Sequence, residues 1–362
     1  MGNLSIAALG GALLGVTIAL ALFRLQGGRV YANRILAGSI ILSVSYLLAL
    51  VPTHSPDVSQ IAFLSVGGLS VFLYGPALYL YVRAVTEHEF RLAPHHLVHG
   101  IPFLLVLMDR SHLFTALAGD MGILFYARRE LLAVLYYSQF IAYLLATARL
   151  IVDFRQRIKE SFSFQENMDL RWLGVLVFIA LLFALLGFSF ALVRWLFDVE
   201  LWSMRIWSLG TMIVINYLIA FYAITRPMLF NPPVIERKSA RYETSSLSAE
   251  QSDAIWARLQ ALMSTDQCYL ENQLKIADLA QKLNMPVSHL SQTINQLGKC
   301  SFFNFVNGYR VEAAKAMLQA AAPGSRTMLD IALSAGFNSE SAFYKQFRAK
   351  VGVTPRQFQQ QS

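Results

Sequence analysis

Three closely spaced histidines, His95, His96 and His99, carry the side chain that most often binds transition metals. His95 and His99 are four residues apart, a spacing that places two ligands on one face of an α-helix. No further cysteine or carboxylate completes the pattern of a closed metal site, although His88 and Glu89 are close in sequence. We therefore predict no metal, and binding of a metal by these histidines stays open as the alternative.

The chain lacks the residue patterns of common catalytic sites. It has no glycine-rich phosphate loop, no paired carboxylates at catalytic spacing and no Ser/His/Asp set. Its two cysteines, Cys268 and Cys300, are expected to be free thiols, as in a reducing cytosol. We predict that the protein is not an enzyme and binds no cofactor.

A second group of polar side chains has the chemistry to recognise nucleic acid. Glutamine and asparagine can bind adenine through two hydrogen bonds, lysine and arginine can bind guanine or phosphate, and glutamate can accept from cytosine. The candidates lie on two short predicted helices, which we call the first and second reading helices. They are Ser288, Ser291, Gln292 and Asn295 on the first, and Glu340, Ser341, Tyr344, Lys345 and Arg348 on the second. For each residue, a solvated face without a ligand is the alternative.

Each reading helix is the second member of a predicted helix pair. In the first pair, helices at Ile276–Leu283 and Val287–Ile294 flank a break that contains Pro286. Apolar residues recur on one face of the second helix and are predicted to point inward: Val287, Leu290 and Ile294. This is the pattern of a helix-turn-helix, in which the second helix enters the major groove of DNA.

The second predicted pair consists of helices at Met328–Ala335 and Ser339–Arg348. Gly336 supplies a left-handed turn that a side chain would strain, and Ser339 or Asn338 caps the second helix. One long helix, Phe302–Leu318, is predicted to join the pairs and to hold them at a fixed separation. Its predicted apolar stripe is Phe302, Phe305, Val306, Tyr309, Ala313, Ala316 and Met317.

The remainder of the chain is strongly apolar. Of the 362 residues, 56% are hydrophobic and 14% are charged, whereas soluble domains contain about 25% charged residues. From Lys275 onward there are 10 Lys+Arg against 4 Asp+Glu, which suits contact with phosphates. The composition excludes an ordinary soluble enzyme, a disordered chain and a disulfide-rich scaffold.

Seven stretches reach or approach the roughly 20 apolar residues that a helix needs to cross a bilayer. None has a central Asp, Glu or Lys, which argues against an ion-coupled transporter. We predict an all-α fold, with a seven-helix transmembrane bundle followed by a tandem helix-turn-helix domain. The stretches are Leu4–Phe23, Ile35–Val51, Ile61–Val82, Leu97–Leu107, Leu131–Ile151, Trp172–Val193 and Ile206–Ile224.

Basic residues in the connections between these stretches predict the orientation in the membrane. With the N-terminus outside, the cytoplasmic connections hold 10 Lys+Arg and the outer connections hold 5. An odd number of spans then places the basic C-terminal part in the cytoplasm. We predict a multi-pass protein of the bacterial inner membrane, with the lipid bilayer as one partner and DNA as another.

Several polar side chains fall within the predicted spans, where polar groups are costly and often functional. They either form hydrogen bonds between helices or line a pocket for a signal molecule, and both interpretations stay open. The candidates for the pocket are Tyr74, Tyr136, Tyr137, Gln139 and Asn216.

Prolines after the last predicted span mark the end of the membrane part. Ser248 is the predicted N-cap of a connecting helix with Ile255, Leu259 and Leu262 on one face. This face either pairs with a second copy in a homodimer or packs onto the next domain. The predicted parts are a membrane sensor domain at 1–226, a linker at 227–247, the connecting helix at 248–272 and a DNA-binding domain at 273–362.

The segment Leu274–Phe358 resembles the DNA-binding domain of the AraC/XylS transcription regulators. The strongest likeness is the run Gly336–Arg348, with its Gly-Phe turn and Phe-x-x-x-Phe helix, followed by the Gly-x-Thr-Pro close at Gly352–Phe358. The apolar part resembles the membrane half of the multi-span subset of these regulators, at Tyr74–Arg83 and Ile101–Leu105. The resemblance implies promoter binding through two helices in successive major grooves, with RNA polymerase as a partner.

These observations predict a membrane-bound one-component regulator that binds promoter DNA in response to a signal molecule sensed by its transmembrane part. The alternative is a transporter-like or receptor membrane protein whose cytoplasmic helical domain binds a protein partner. Binding of double-stranded DNA by the C-terminal part distinguishes the two.

Overall fold

The computed structural model describes residues 3–24, 30–49, 70–87, 90–110, 129–165, 170–197, 214, 218, 247–320 and 326–361. Within these ranges the chain forms helices and turns, and the only pairing of extended backbone is an isolated bridge between Phe162 and Lys275. The all-α prediction is confirmed for this part of the chain. The chain divides into a first unit, Met1–Val152 with Leu170–Val234, and a second unit, Asp153–Asp169 with Ile235–Ser362.

The first unit contains six described α-helices. Two short 3-10 helices, Ser70–Leu73 and Pro94–Gly100, precede the third and the fourth of them. The fifth helix continues past the unit boundary, so its last residues, from Asp153, belong to the second unit. The helices are α1 (Asn3–Arg24), α2 (Val30–Ala49), α3 (Tyr74–Thr86), α4 (Ile101–Arg110), α5 (Arg129–Ser161) and α6 (Arg171–Phe197).

Three helices among the described residues are long and apolar enough to cross a membrane: Val30–Leu48, Ala133–Ser161 and Arg171–Val193. Ala8–Arg24 and Pro94–Leu107 are shorter apolar helices. Large apolar side chains of α6 such as Phe178 and Leu182 are more than half exposed, as expected for a surface that contacts lipid. The predicted seventh stretch lies almost entirely outside the described residues, so the seven-span bundle stays a prediction.

The second unit is a helical domain with two apolar cores. Its helices are α7 (Ala249–Thr265), α8 (Ile276–Lys282), α9 (Val287–Leu297), α10 (Phe302–Ala320), α11 (Met328–Ser334), α12 (Glu340–Val351) and α13 (Pro355–Gln361). A 3-10 turn, Cys268–Leu270, lies between α7 and α8. Both predicted helix pairs are present, with ends within a few residues of those expected.

The connecting helix α7 packs onto the next domain rather than standing apart. Ser248 caps it as predicted, with its Oγ accepting from the Gln251 amide at 3.2 Å. Ile255, Leu259 and Met263 are buried in the core that also holds α8 and α9. The sequence left open whether this face pairs with a second copy or packs onto the next domain, and the structure shows that it packs onto the next domain.

Helix α10 contributes to both cores, and the single apolar stripe predicted for it is wrong in its second half. Its first half buries Phe302, Phe305 and Val306 with α7, α8 and α9, as predicted. Its second half instead buries Val311, Ala314 and Leu318 in the core of the second helix pair. The buried face turns around the helix between residues 306 and 311 because the two cores lie on different sides of it. Ala316, predicted to be inward, is exposed.

Candidate nucleic-acid interface

The first helix pair closes through a tight turn between α8 and α9. Ala280 is buried, and its carbonyl oxygen accepts from the Met285 amide at 3.0 Å. Asn284 adopts a left-handed conformation with φ of 52°, which amide side chains tolerate. Pro286 then occupies the N-cap position of α9, one residue before the first helical turn. This geometry fixes the angle at which the first reading helix leaves the turn.

Helix α9 presents a narrower exposed face than the sequence predicts. Asn295 is exposed and Ser288 and Gln292 are half-buried, whereas Ser291 is buried with 5% of its surface exposed. The predicted outward position of Ser291 is therefore wrong, because α7 packs along α9 and its Trp256 ring lies against Gly298. Contacts of Ser288, Gln292 and Asn295 with bases stay predictions.

The inward face of α9 also differs from the prediction at one position. Leu290 and Ile294 are buried as predicted, but Val287 is 42% exposed. Val287 is the first helical residue after Pro286, so it lies at the end of the helix, beyond the core that buries the next turn. Its exposed apolar side chain lies beside the candidate reading residues, where it could contact the methyl group of thymine.

The second helix pair has the same design as the first. The Phe337 amide donates to the Ala332 carbonyl at 2.9 Å, at the position equivalent to the bond between Met285 and Ala280. Gly336 has φ of +89°, so the predicted left-handed glycine is confirmed. Ser339 caps α12, with its Oγ accepting from the Ala342 amide at 3.2 Å. The same local geometry therefore positions both reading helices.

The outer face of α12 carries the predicted polar residues. Phe343 and Phe347 are fully buried in the second core, which turns the opposite face outward. Ser341, Lys345 and Arg348 are exposed, and Glu340 and Tyr344 are half-buried. The five residues thus share one accessible side of the second reading helix, and their contacts with DNA stay predictions.

The turn at Gly336 packs closely against the segment that precedes the first helix pair. A Cβ atom added to Gly336 would lie 2.5 Å from the carbonyl oxygen of Tyr269 and 2.9 Å from the Cα atom of Leu270. Only glycine fits this space without a shift of backbone. The turn of the second helix pair is therefore in direct contact with the segment that leads into the first pair.

Arg310 on α10 is a buried residue that periodicity alone did not predict. It is 1% exposed, and its guanidinium donates to the carbonyl oxygens of Tyr269 and Glu271, both at 2.7 Å. The same group lies 6.0 Å from the centre of the Phe337 ring. The signal that could have identified it is a lone arginine between the two apolar faces of α10.

Helix α11 is fixed at its N-terminus by a reciprocal capping box. Thr327 Oγ1 accepts from the Asp330 amide at 3.1 Å, and the Asp330 carboxylate accepts from both the Thr327 amide and hydroxyl. These hydrogen bonds from Thr327 lower the pKa of Asp330 below its usual value. The cap orients the first helix of the second pair, on which the second reading helix packs.

Two side chains beyond the reading helices also bear on the charge of this domain. Lys282 on α8 lies 3.2 Å from the sulfur of buried Cys268 and 3.6 Å from the Glu271 carboxylate, and its hydrogen bond with Cys268 raises its pKa. Lys350 on α12 is exposed and lies 3.9 Å from Glu312. The raised pKa keeps Lys282 charged at neutral pH.

Two of the residues of the predicted membrane pocket, Tyr74 and Gln139, make hydrogen bonds to neighbouring helices. The Tyr74 hydroxyl donates to the Leu42 carbonyl oxygen at 2.9 Å, and the Gln139 amide donates to that of Phe72 at 3.2 Å. The rings of Tyr136 and Tyr137 contact each other, with centroids 4.7 Å apart. Asn216 lies outside the described residues. These contacts fit the interhelical role for Tyr74 and Gln139, and the pocket stays a prediction.

The three histidines do not have the spacing expected of an α-helix, because Pro94–Gly100 is a 3-10 helix with about three residues per turn. His96 and His99 therefore share a face, and their rings are stacked 6.3 Å apart, while His95 is exposed. His96 lies 3.5 Å from Arg83, and His99 lies 2.6 Å from the Tyr143 hydroxyl. Within the described residues, no group of three or more His, Cys, Asp or Glu is arranged to hold a metal ion.

The two helix pairs coincide with the part of the chain that is similar to known proteins. Residues 279–361 match the helix-turn-helix domain family. The chain is 24% identical over 130 residues to the melibiose operon regulatory protein of Escherichia coli (strain K12), which is 36% of this chain and 41% of the relative. A second relative from the same organism is YkgA, which is named as an HTH-type transcriptional regulator. The chain is 28% identical to it over 100 residues, which is 28% of this chain and 41% of the relative.

Residues 279–361 are thus a helix-turn-helix domain, similar to part of two proteins that are named as regulators. The match spans less than half of the length of either relative. Both relatives are named as regulators, which supports the prediction of a protein that is not an enzyme. No solved structure matches the chain.

Proposed function

We propose that the protein is a membrane-bound transcription regulator whose C-terminal domain binds promoter DNA through α9 and α12. The observation that carries the proposal is the repetition of one helix-turn-helix design in a domain of this family, with polar side chains on the outer face of α9 and polar and basic side chains on that of α12. In helix-turn-helix proteins the second helix lies in the major groove, and its side chains contact base edges.

The separation of the two reading helices is fixed by α10, which is continuous over 19 residues. At about 1.5 Å per residue, such a helix extends for nearly 30 Å, comparable with the roughly 34 Å between successive major grooves on one side of DNA. We propose that α9 and α12 occupy two such grooves. Ser288, Gln292 and Asn295 would contact the first half-site, and Glu340, Ser341, Tyr344, Lys345 and Arg348 the second.

The membrane part is proposed to sense the signal. Three apolar helices of sufficient length, Val30–Leu48, Ala133–Ser161 and Arg171–Val193, support a location in the bacterial inner membrane, with the DNA-binding domain in the cytoplasm. A signal molecule that binds two packing states of these helices with different affinity would shift DNA binding, and DNA would in turn shift signal binding. RNA polymerase and a second copy of the chain are the further partners proposed, the first from the family resemblance.

The test uses the full chain in lipid nanodiscs and duplex DNA selected by it from a random library. Specific binding should weaken steeply as salt rises, because lysine and arginine displace counterions from phosphates. Lys345→Ala should cost about 1–3 kcal/mol of binding free energy. Lys315→Ala is the matched control, because it removes the same charge from α10, where Lys315 pairs with Glu312.

The selected sequence should also respond to the first reading helix. Gln292→Ala should relax the preference at one base position, whereas Gln281→Ala, an exposed glutamine of α8, should leave it unchanged. If the library yields no duplex that the full chain binds above background, the proposal is wrong, and a protein partner for the C-terminal domain becomes the better hypothesis.

A further inference from the structure

A short segment that follows helix α5 is bound to the DNA-binding domain in the second unit. This docking segment consists of Phe162 and Ser163, both buried. Phe162 pairs with Lys275 in an antiparallel bridge, just before α8. The amide and the hydroxyl of Ser163 both donate to the Leu274 carbonyl oxygen, at 3.1 and 2.8 Å. The partners are 111 residues apart in sequence, so this is a tertiary contact.

The other side of Ser163 is bound by two polar residues of α10. Its carbonyl oxygen accepts from Asn307 Nδ2 and from Arg310 Nη1, both at 3.0 Å. Its hydroxyl oxygen accepts from Arg310 Nη2, also at 3.0 Å. Ser163, Asn307 and Arg310 are each no more than 4% exposed. Buried hydrogen bonds to a charged group are among the costlier ones to break, because water does not replace them.

The arginine that binds the docking segment also contacts the segment that leads into the first helix pair and the turn of the second pair. Arg310 also donates to the carbonyl oxygens of Tyr269 and Glu271, and its guanidinium lies beside Phe337 at the turn before α12. Withdrawal of Ser163 would remove acceptors from Nη1 and Nη2 of a buried cation. Its guanidinium would then reorient toward other acceptors, and the contacts that set the two reading helices relative to each other would change.

The docking segment is joined directly to a candidate membrane span. Helix α5 is continuous from Arg129 to Ser161, and its apolar part, Ala133–Ser161, is long enough to cross a bilayer. Phe162 is the next residue after the helix. Backbone hydrogen bonds join each turn of an α-helix to the next, so a rotation or shift of α5 would also move the residue at its end.

We infer that the docking segment is the route by which the membrane part regulates DNA binding, and that its contact with Asn307 and Arg310 holds the two reading helices in the relative orientation that DNA requires. The inference rests on the proposed function. It assigns the coupling to the connection between α5 and α6, in addition to the linker at 227–247. The partner for this surface of the DNA-binding domain is therefore a segment of the same chain.

The contact itself is tested without DNA. Phe162→Cys and Lys275→Cys are introduced together into the full chain, with Cys268 and Cys300 replaced by serine and a protease site inserted at residue 240. Facing residues of an antiparallel pair have Cα atoms about 4.5–5.5 Å apart, within the roughly 4.4–6.8 Å range of disulfides. After cleavage in membranes, the two fragments should stay joined until reductant is added, and each single-cysteine variant should separate. Separation of the double variant without reductant would overturn the inference.

The regulatory role is tested with Ser163→Ala in nanodiscs, using the duplex selected by the wild-type chain. Loss of the hydroxyl removes one hydrogen bond with Arg310 and one with Leu274, so affinity for the duplex with both half-sites should fall about tenfold. Affinity for a duplex with one half-site should be unchanged, because each reading helix is intact. Ser161→Ala, the same substitution two residues earlier, should bind both duplexes as the wild type does.

The outcomes separate the two proposals. Equal affinity of Ser163→Ala and wild type for the two-half-site duplex would overturn the inference while the proposed function stands. An equal loss on both duplexes would show a general destabilisation and would likewise overturn it. If the wild-type chain selects no duplex at all, the proposed function fails, and the regulatory role fails with it even where the disulfide forms.

Discussion

The close packing at Gly336 makes a quantitative prediction about the stability of the DNA-binding domain. Gly336 and Gly352 both have φ of +89°, so an alanine at either position is strained by the left-handed backbone. A Cβ atom at Gly352 would have nothing within 4 Å, whereas one at Gly336 would lie 2.5 Å from the Tyr269 carbonyl oxygen. The two glycines thus share the conformational cost, and only Gly336 has the steric cost.

The magnitudes follow from these two terms. A left-handed conformation costs a residue with a side chain about 1–2 kcal/mol, which is the loss expected for Gly352→Ala. Forcing an extra methyl group into a packed site costs about 1–3 kcal/mol more, so Gly336→Ala should lose about 2–5 kcal/mol. The neighbours of Gly336 are backbone atoms of Tyr269 and Leu270, which yield less readily than the end of a flexible side chain.

Pulse proteolysis of the full chain in detergent measures this difference. The free energy of unfolding of the C-terminal domain is obtained from the urea concentration at which it becomes cleavable. Gly336→Ala should shift that midpoint clearly further than Gly352→Ala. Equal shifts for the two variants would refute the argument that the segment at Tyr269 packs against the second helix pair.

Three further predictions concern the length of α10, the capping residue Asp330 and the orientation in the membrane. Because α10 is a continuous helix, the protein should bind the two half-sites only at their selected spacing. In a mobility-shift assay, insertion of either five or ten base pairs between the half-sites should abolish binding to both half-sites at once. Recovery of binding with ten inserted base pairs would indicate a flexible connection. Because folding lowers the pKa of Asp330, the stability that its carboxylate contributes is present above its unfolded pKa of about 3.9 and is lost as pH falls through the folded value. Urea midpoints of wild type and Asp330→Asn should therefore differ at pH 7, and this difference should shrink as pH falls below the unfolded pKa. A difference that stays the same in acid would contradict this. A reporter enzyme that works only in the cytoplasm should be active when it is fused after Ile224. Activity of a reporter that works only in the periplasm would contradict the predicted orientation.

The helix pairs were predictable because each is specified by residues close together in sequence. Leu290 and Ile294 recur at helical spacing, Gly336 marks a turn that needs a positive φ, and Ser339 has the side chain of an N-cap. These local signals fixed the ends of α9 and α12 within a few residues. Burial of Ser291 was not predictable in the same way, because it depends on the packing of α7, whose position no local pattern specifies.

The contacts of Ser163 and the arrangement of the three histidines were not predicted, for a related reason. Ser163 and Arg310 are 147 residues apart, and each is unremarkable in its own neighbourhood. Three histidines at 95, 96 and 99 suggested α-helical spacing, but Pro94 begins a 3-10 helix and changes which of them share a face. In both cases the sequence contains the residues but does not indicate the backbone geometry that brings them together.

Helix α10, which joins the two helix pairs, has two buried faces, so the single apolar stripe predicted from the sequence does not describe it. A helix with a single buried stripe can support one core, but α10 buries Val306 in the first core and Val311 in the second. Five residues correspond to about one and a half turns, so the two faces point in different directions. Asn307 and Arg310 lie at this change of face, and both donate to the carbonyl oxygen of Ser163. A helix with one stripe would leave no buried position there for polar side chains, so the same rotation that separates the two cores creates the site at which the docking segment binds.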